Sequence, residues 1–293
     1  MANLKEVRNR IASVSSTQQI TKAMKMVSAA KLKRATNAIV QLRPYANKLR
    51  DILGNLSASL EESTSPFTQE REPRKVLIVV VASNRGLAGA FNTNAIKTAN
   101  QLISERYSEQ LHKGNVSIIA IGKKAQDYYE KRKYNVIGNN TELFSHLTFE
   151  NASKITESIM DGFVAGDYDR VEVVYNHFKN AATQFLISEQ LLPLPKPTAE
   201  AGSVSKVDYI LEPSQNEIVE QLIPKSIKIQ LYKAILDSHA SEHGARMTAM
   251  DKATENAGEL LRALKLSYNQ ARQAAITTEL TEIVSGAAAL SNG

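Results

Sequence analysis

The sequence predicts an α/β protein whose two ends pair as a long antiparallel two-helix coiled coil, with an α/β domain inserted between them. Three observations predict it. A heptad-spaced stripe runs through the C-terminal region from Lys225 to Leu290, a second holds one register from Leu4 to Leu60, and the segment between them switches to short β-branched runs alternating with helical ones.

In the C-terminal region, 4-3 steps from Leu236 pick out Ala240, His243, Met247, Met250, Thr254, Ala257, Leu261, Leu264, Tyr268, Ala271 and Ala275. The stripe then steps over by one residue to Ile276, Leu280, Ile283, Ala287 and Leu290. At about 1.5 Å per residue this helix is roughly 100 Å long, too long to lie inside a globular domain, so it needs a long partner. Leu4, Val7, Ile11, Val14, Gln18, Thr21, Lys25, Ser28, Leu32, Ala35, Ile39, Leu42, Ala46, Leu49, Leu53, Leu56 and Leu60 supply one in an unbroken 3-4 register. Pro44 removes a helical hydrogen bond at a cost of about 3 kcal/mol, so a bend or a break is expected there. The middle of this stripe is polar, with Gln18, Thr21, Lys25 and Ser28 on the seam and Ile20, Met24 and Val27 displaced by one position. Polar seam residues weaken a two-helix coil and specify its register. They leave Met24 and Val27 for a third partner, or mark local unwinding.

Ser63 to Arg74 is polar with two prolines and reads as a linker. From Lys75 the period changes. Val76–Ala82 is a strand, Asn92–Glu109 a helix, Val116–Ile121 a strand, Lys123–Lys133 a helix and Asn135–Ile137 a short strand. A helix at Asn151–Ala165 and strands at Val171–Phe178 and Gln184–Leu192 follow. Such alternation predicts a Rossmann-like domain with a largely parallel sheet and an antiparallel edge. Three prolines make the stretch from Pro193 to Lys206 a loop, and Val207–Leu211 returns as an edge strand before Pro213. The expected division is an N-terminal helix at 1–62, a linker at 63–74, the α/β domain at 75–213 and a C-terminal helix at 214–293.

Hydrophobic residues at 43% and charged residues at 23% of the 293 positions suit one large domain or two smaller ones. No run of about 18 uncharged apolar residues is present, and the chain enters its heptad pattern without a signal or transit segment, so a cytoplasmic protein is expected. Zero cysteines exclude disulfides, thiolate metal sites and thiol redox control. The net charge of +6 hides an asymmetry: residues 1–50 carry eleven basic side chains against Glu6 alone, leaving −4 for the rest. An acidic protein surface, nucleic acid or a merely solvated face would each fit, although Tyr45 is the one aromatic available for base stacking.

Two motifs point toward enzyme chemistry and stop short of it. Ser83–Asn92 is a glycine-containing strand-to-helix loop, but it lacks the Gly-x-Gly-x-x-Gly spacing, and no Walker sequence exists, so no nucleotide cofactor is expected. The glycines read instead as permitting a tight turn and close packing. His239, Glu242 and His243 match the His-x-x-Glu-His zinc pattern, yet His243 falls on the coil stripe and no histidine follows it. No metal site and no catalytic residue is expected of this chain.

Several stretches together resemble the γ subunit of bacterial rotary F-type ATP synthases. They are Ile20–Val27 with Ala30-Lys31-Leu32, Arg85-Gly86-Leu87, Ala245–Met250, and Tyr268–Ala274 continuing through Ile276–Ala287. The resemblance implies the central rotor shaft of a proton-translocating enzyme, present in one copy and lacking catalytic residues. It would turn inside a ring of α and β subunits and meet the ε subunit and the membrane c-ring at the inner membrane's cytoplasmic face. Carried over by position, Met24, Lys25, Arg246, Arg272, Gln273, Thr277 and Glu279 would meet β through partial, exposed contacts. Ile276, Leu280, Ile283, Val284, Ala287 and Leu290 would form an apolar bearing tip. Tyr209 and Glu212 would face ε and the c-ring, and the Arg85-Gly86-Leu87 loop reads as structural. Ala88, at a position that is cysteine in many relatives, argues with the absent transit segment for a bacterial source. A basic coiled-coil nucleic-acid adaptor is the alternative.

Overall fold

The computed structural model describes residues 4–59, 65–181, 183–194 and 215–291. The elements in chain order are α1 (Leu4–Ser59), β1 (Val76–Val81), α2 (Phe91–Arg106), α3 (Ser108–His112), β2 (Val116–Ile121), α4 (Lys123–Lys131) and β3 (Asn135–Val136). They continue with α5 (Phe149–Ala165), β4 (Arg170–Phe178), β5 (Gln184–Leu192) and α6 (Gln215–Ser291). The chain separates into two compact units: residues 1–28 with 247–293, and residues 29–246.

In the larger unit the strand order is β3-β2-β1-β4-β5, parallel throughout except for the antiparallel β4–β5 pair. β1 is central because all six of its aliphatic side chains can be buried, and all are fully buried. Their alternation divides the core in two. Val76, Ile78 and Val80 pack with Ala99 and Ile103 of α2 and Tyr129 of α4, while Leu77, Val79 and Val81 pack with Ile159 and Phe163 of α5 and Ile227 and Leu231 of α6. From Ile223 to Arg246, α6 buries residues on nearly every side. One of its faces meets the sheet core, and another packs Leu236 and Ala240 on Ala35 and Ile39 of α1.

Three expectations about elements need correction. The helix expected over Asn92–Glu109 is interrupted at Tyr107, whose ring is buried and whose hydroxyl donates to Glu172 Oε1 at 2.7 Å, so α2 and α3 are separate. The α1 helix is not broken at Pro44, and the C-terminal helix, which begins at Gln215 in keeping with the division at 214 and ahead of the stripe noted from Lys225, likewise runs through Pro224. In both cases the carbonyl freed four residues earlier, on Val40 or Glu220, belongs to an exposed residue that water can reach. The segment read as a linker is docked from Ser65 onward. Leu194 donates its N–H to the Phe67 carbonyl, and the Arg71 guanidinium lies over the Phe163 ring at 5.0 Å. The expected strand at Val207–Leu211 lies outside the described residues.

In the smaller unit, residues 4–28 of α1 and 247–291 of α6 run antiparallel, as shown by Arg8 bonded to Tyr268 and Lys25 bonded to Asp251. Each α1 stripe residue from Leu4 to Leu53 is buried or half-buried, and so is every α6 stripe residue through Ala275. The coil does not come apart at its polar centre, where Gln18, Thr21 and Lys25 all bond to α6.

Candidate functional site

The seam of the smaller unit satisfies its own polar groups. Thr254 Oγ1 lies 2.8 Å from Thr21 Oγ1, and the Gln18 amide donates to the Thr254 carbonyl at 3.4 Å. Gly258 leaves room for the Gln18 amide, since a Cβ there would stand 3.0 Å from Gln18 Nε2. Polar residues meeting polar residues fix the axial register, which an all-leucine seam would leave open to slippage. The displaced apolar residues Ile20 and Val27 are 59% and 57% exposed, so they stay available for another surface.

Around this seam lie most of the residues singled out from the sequence. Lys25 Nζ reaches Asp251 Oδ1 at 2.5 Å with both side chains substantially exposed, and Met24 is half-buried one position away. Arg272, Gln273, Thr277 and Glu279 are all exposed on α6, where the Thr277 hydroxyl donates back to the Gln273 carbonyl at 2.9 Å. Beyond Ala275 no described residue of α1 lies alongside. Ile276, Leu280, Ile283, Val284 and Leu290 are 48%, 56%, 67%, 66% and 87% exposed, and Ala287 is exposed with them. A continuous helix bearing this many bare aliphatic side chains calls for an apolar surround.

Arg246 departs from the exposed contact expected of it. Its side chain is buried in the larger unit, where Nη1 pairs with Glu242 Oε1 at 2.5 Å and Nη2 donates to the Arg85 and Gly86 carbonyls at 3.1 and 3.3 Å. The same geometry answers the zinc pattern. Glu242 is committed to Arg246, the His239 and His243 rings meet edge to face at 4.5 Å, and His239 stacks on Phe144. Among the described residues no cluster of three ligating side chains could hold a metal ion. Burial, helped by the positive charges of Lys31 and Arg246, lowers the His239 pKa to about 4. Burial, then His239, Arg246 and Lys31, lowers that of His243 to about 3. Both rings are therefore neutral near pH 7.

A further charged cluster had not been anticipated. The buried Asp237 carboxylate accepts from His177 Nδ1 at 2.8 Å and faces Arg43 at 3.7 Å, while Arg43 also donates to the Phe178 carbonyl at 3.2 Å. It ties α1, β4 and α6 together. Burial raises the Asp237 pKa, and His177 and Arg43 oppose that shift. With its charged groups spent on one another and on the Phe178 carbonyl, the arrangement is a fastening. An acid and a base within two turns of an otherwise apolar stripe, as at Asp237, Glu242 and Arg246, was the available signal. Tyr209 and Glu212 lie outside the described residues. Among the described residues no helix is long and apolar enough to cross a membrane.

A family model described as ATP synthase matches residues 3–290. The chain is 57% identical to the ATP synthase gamma chain of Cytophaga hutchinsonii over 295 residues, covering 100% of both, and 59% identical to that of Flavobacterium psychrophilum over 291 residues, covering 99% of both. In fold it is similar to a chain of the Euglena gracilis mitochondrial ATP synthase, with a TM-score of 0.70, 24% identity and coverage of 98% of this chain and 94% of that one. A second likeness is to a chain of the Tetrahymena thermophila mitochondrial ATP synthase central stalk and c-ring, with a TM-score of 0.59, 24% identity, and coverage of 80% of this chain and 99% of that one.

Proposed function

Since the chain belongs to the ATP synthase gamma chain family, we propose that it works as the central rotor shaft, coupling rotation of a membrane c-ring to ATP synthesis or hydrolysis on the β subunits of a surrounding α/β ring. It is a non-catalytic subunit, and what it contributes is shape and angle. One observation carries the mechanical reading: a helix whose last sixteen residues, 276–291, project past the described part of their helical partner and hold bare aliphatic side chains. An apolar sleeve covers such a tip without gripping it, because dispersion contacts have no fixed direction.

The helix pair differs around its circumference, basic along α1 and mixed along α6. Turning it inside a ring of equivalent sites presents a different face to each, and a face that binds one conformation better shifts that site toward it. Met24, Lys25, Arg272, Gln273, Thr277 and Glu279 are our candidates for the β contacts. Exposed ion pairs are worth about 0–1 kcal/mol, so each can be made and broken in every turn. Lys25 can exchange Asp251 for a carboxylate of the ring. Arg246 acts from inside the chain.

We place the complex at the cytoplasmic face of a bacterial inner membrane, with Tyr209 and Glu212 toward ε and the c-ring and the chain divided as 1–62, 63–74, 75–213 and 214–293. Nothing observed favours a nucleic-acid adaptor. Co-expression with α and β subunits of a close relative tests the function. Co-purification in one copy with raised ATP hydrolysis is expected, and a stable α/β complex that excludes the chain would refute it.

A further inference from the structure

We propose that Glu242 and Arg246 form a clamp that holds the Ser83–Ala90 loop with Leu87 turned outward, and that Arg246 serves the rotor through this loop rather than by touching the ring. The part concerning what Leu87 meets, the α/β ring, rests on the rotor reading. The clamp is a property of the chain itself.

Leu87 has φ +62° and is 64% exposed. A leucine in the left-handed region has a Cβ clash and no side-chain hydrogen bond to offset it, so something must prevent the backbone from relaxing. The simplest relaxation is a flip of the Gly86–Leu87 peptide, which would swing the Gly86 carbonyl away. That carbonyl accepts from Arg246 Nη2 at 3.3 Å and Nε at 3.4 Å, and the preceding Arg85 carbonyl accepts from Nη2 at 3.1 Å and from Ser83 Oγ at 2.6 Å. Glu242 holds the remaining arm of the guanidinium. A fork with donors on both arms and Nε can fix two successive carbonyls and a carboxylate together, which an ammonium cannot. Behind the loop, Ala88 is buried and Asn84 bridges the Thr141 carbonyl and the Lys123 N–H. Leu87 alone is left facing out as a large apolar group. Taking a guanidinium and a carboxylate out of water opposes folding unless their hydrogen bonds are used, and here they are used on the loop.

Limited trypsin digestion of the full-length chain, reading the fragment that ends at Arg85, tests the clamp. Glu242→Gln, Arg246→Lys and Arg246→Gln should each speed that cleavage by about tenfold while the thermal transition stays cooperative, because a freed loop samples open conformations. Unchanged cleavage in all three overturns the clamp. Where Arg246→Gln does not fold, Arg246→Lys carries the readouts. For the second half, ATP hydrolysis of complexes assembled with α and β is measured for Arg246→Lys, Leu87→Ala and the double variant. Action through Leu87 makes the double variant no worse than Leu87→Ala alone, whereas losses that multiply mean Arg246 meets the ring directly and overturn that half. If the unsubstituted chain fails to stimulate hydrolysis at all, the rotor reading falls while the trypsin result still judges the clamp.

Discussion

The two units of this chain use the same pair of helices in opposite ways. Within residues 29–246, α6 is wrapped by a sheet and by α1, and its acids Asp237 and Glu242 are buried with cationic partners. Within residues 1–28 and 247–293 each helix has one neighbour among the described residues, the middle of its seam is polar, its ion pair is exposed, and its tip is bare. The difference teaches that fastening and turning need contrary chemistry. Buried charge pairs resist any displacement because breaking one strands a charge, whereas exposed pairs and unpartnered aliphatic groups tolerate many surroundings.

The sharpest way to break the contrast is Asp237→Ala, which leaves His177 and Arg43 without their carboxylate. It should cost about 1.5–3 kcal/mol in chemical denaturation of the chain, the range for hydrogen bonds to a charged group, since His177 and Arg43 are themselves partly exposed. Acidification acts on the same unit. His239 and His243 have folded pKa values near 4 and 3, below their unfolded value of 6.5. The unfolded chain therefore binds protons first, and stability should hold above pH 6.5 and fall between 6.5 and 4. The expected slope is at most about 1.4 kcal/mol per pH unit for each histidine. His243→Leu should flatten this fall in a series of melts, because the ring nitrogens of His243 are buried without partners.

In the smaller unit the effects shrink. Thr254→Val removes a donor to Thr21, whose hydroxyl keeps its own bond to the Gln18 carbonyl, and should cost no more than about 1 kcal/mol, with a coupling to Thr21→Val that a double-mutant cycle on denaturation midpoints would show. Lys25→Ala, losing an exposed pair, should cost less than about 1 kcal/mol. Ile283→Ser should move the isolated chain's stability by no more than about 0.5 kcal/mol, yet lower ATP hydrolysis in the assembled complex.

Much of this was legible in the residues. The all-aliphatic run Val76–Val81 announces a central strand, the limits of β5 follow from Gln184 and Leu192, and the α1 stripe marks its buried face from Leu4 to Leu53. The break at Tyr107 was hidden because its cause, Glu172, lies 65 residues away. The burial of Arg246 was hidden for a similar reason: its carbonyl acceptors belong to a loop some 160 residues earlier, and local spacing says nothing of such partners. Helix continuity through Pro44 and Pro224 depends on which carbonyl faces water, a property of packing.

Rotation itself is the most direct test. The chain has no cysteine, so one introduced at an exposed position of the larger unit, such as Lys131→Cys, gives a unique attachment point for a probe. With the α/β ring fixed to a surface and ATP supplied, the probe should turn continuously in one direction, and Ile283→Ser should disturb that turning more than it disturbs folding. A complex that hydrolyses ATP at full rate while the probe stays still would contradict the shaft.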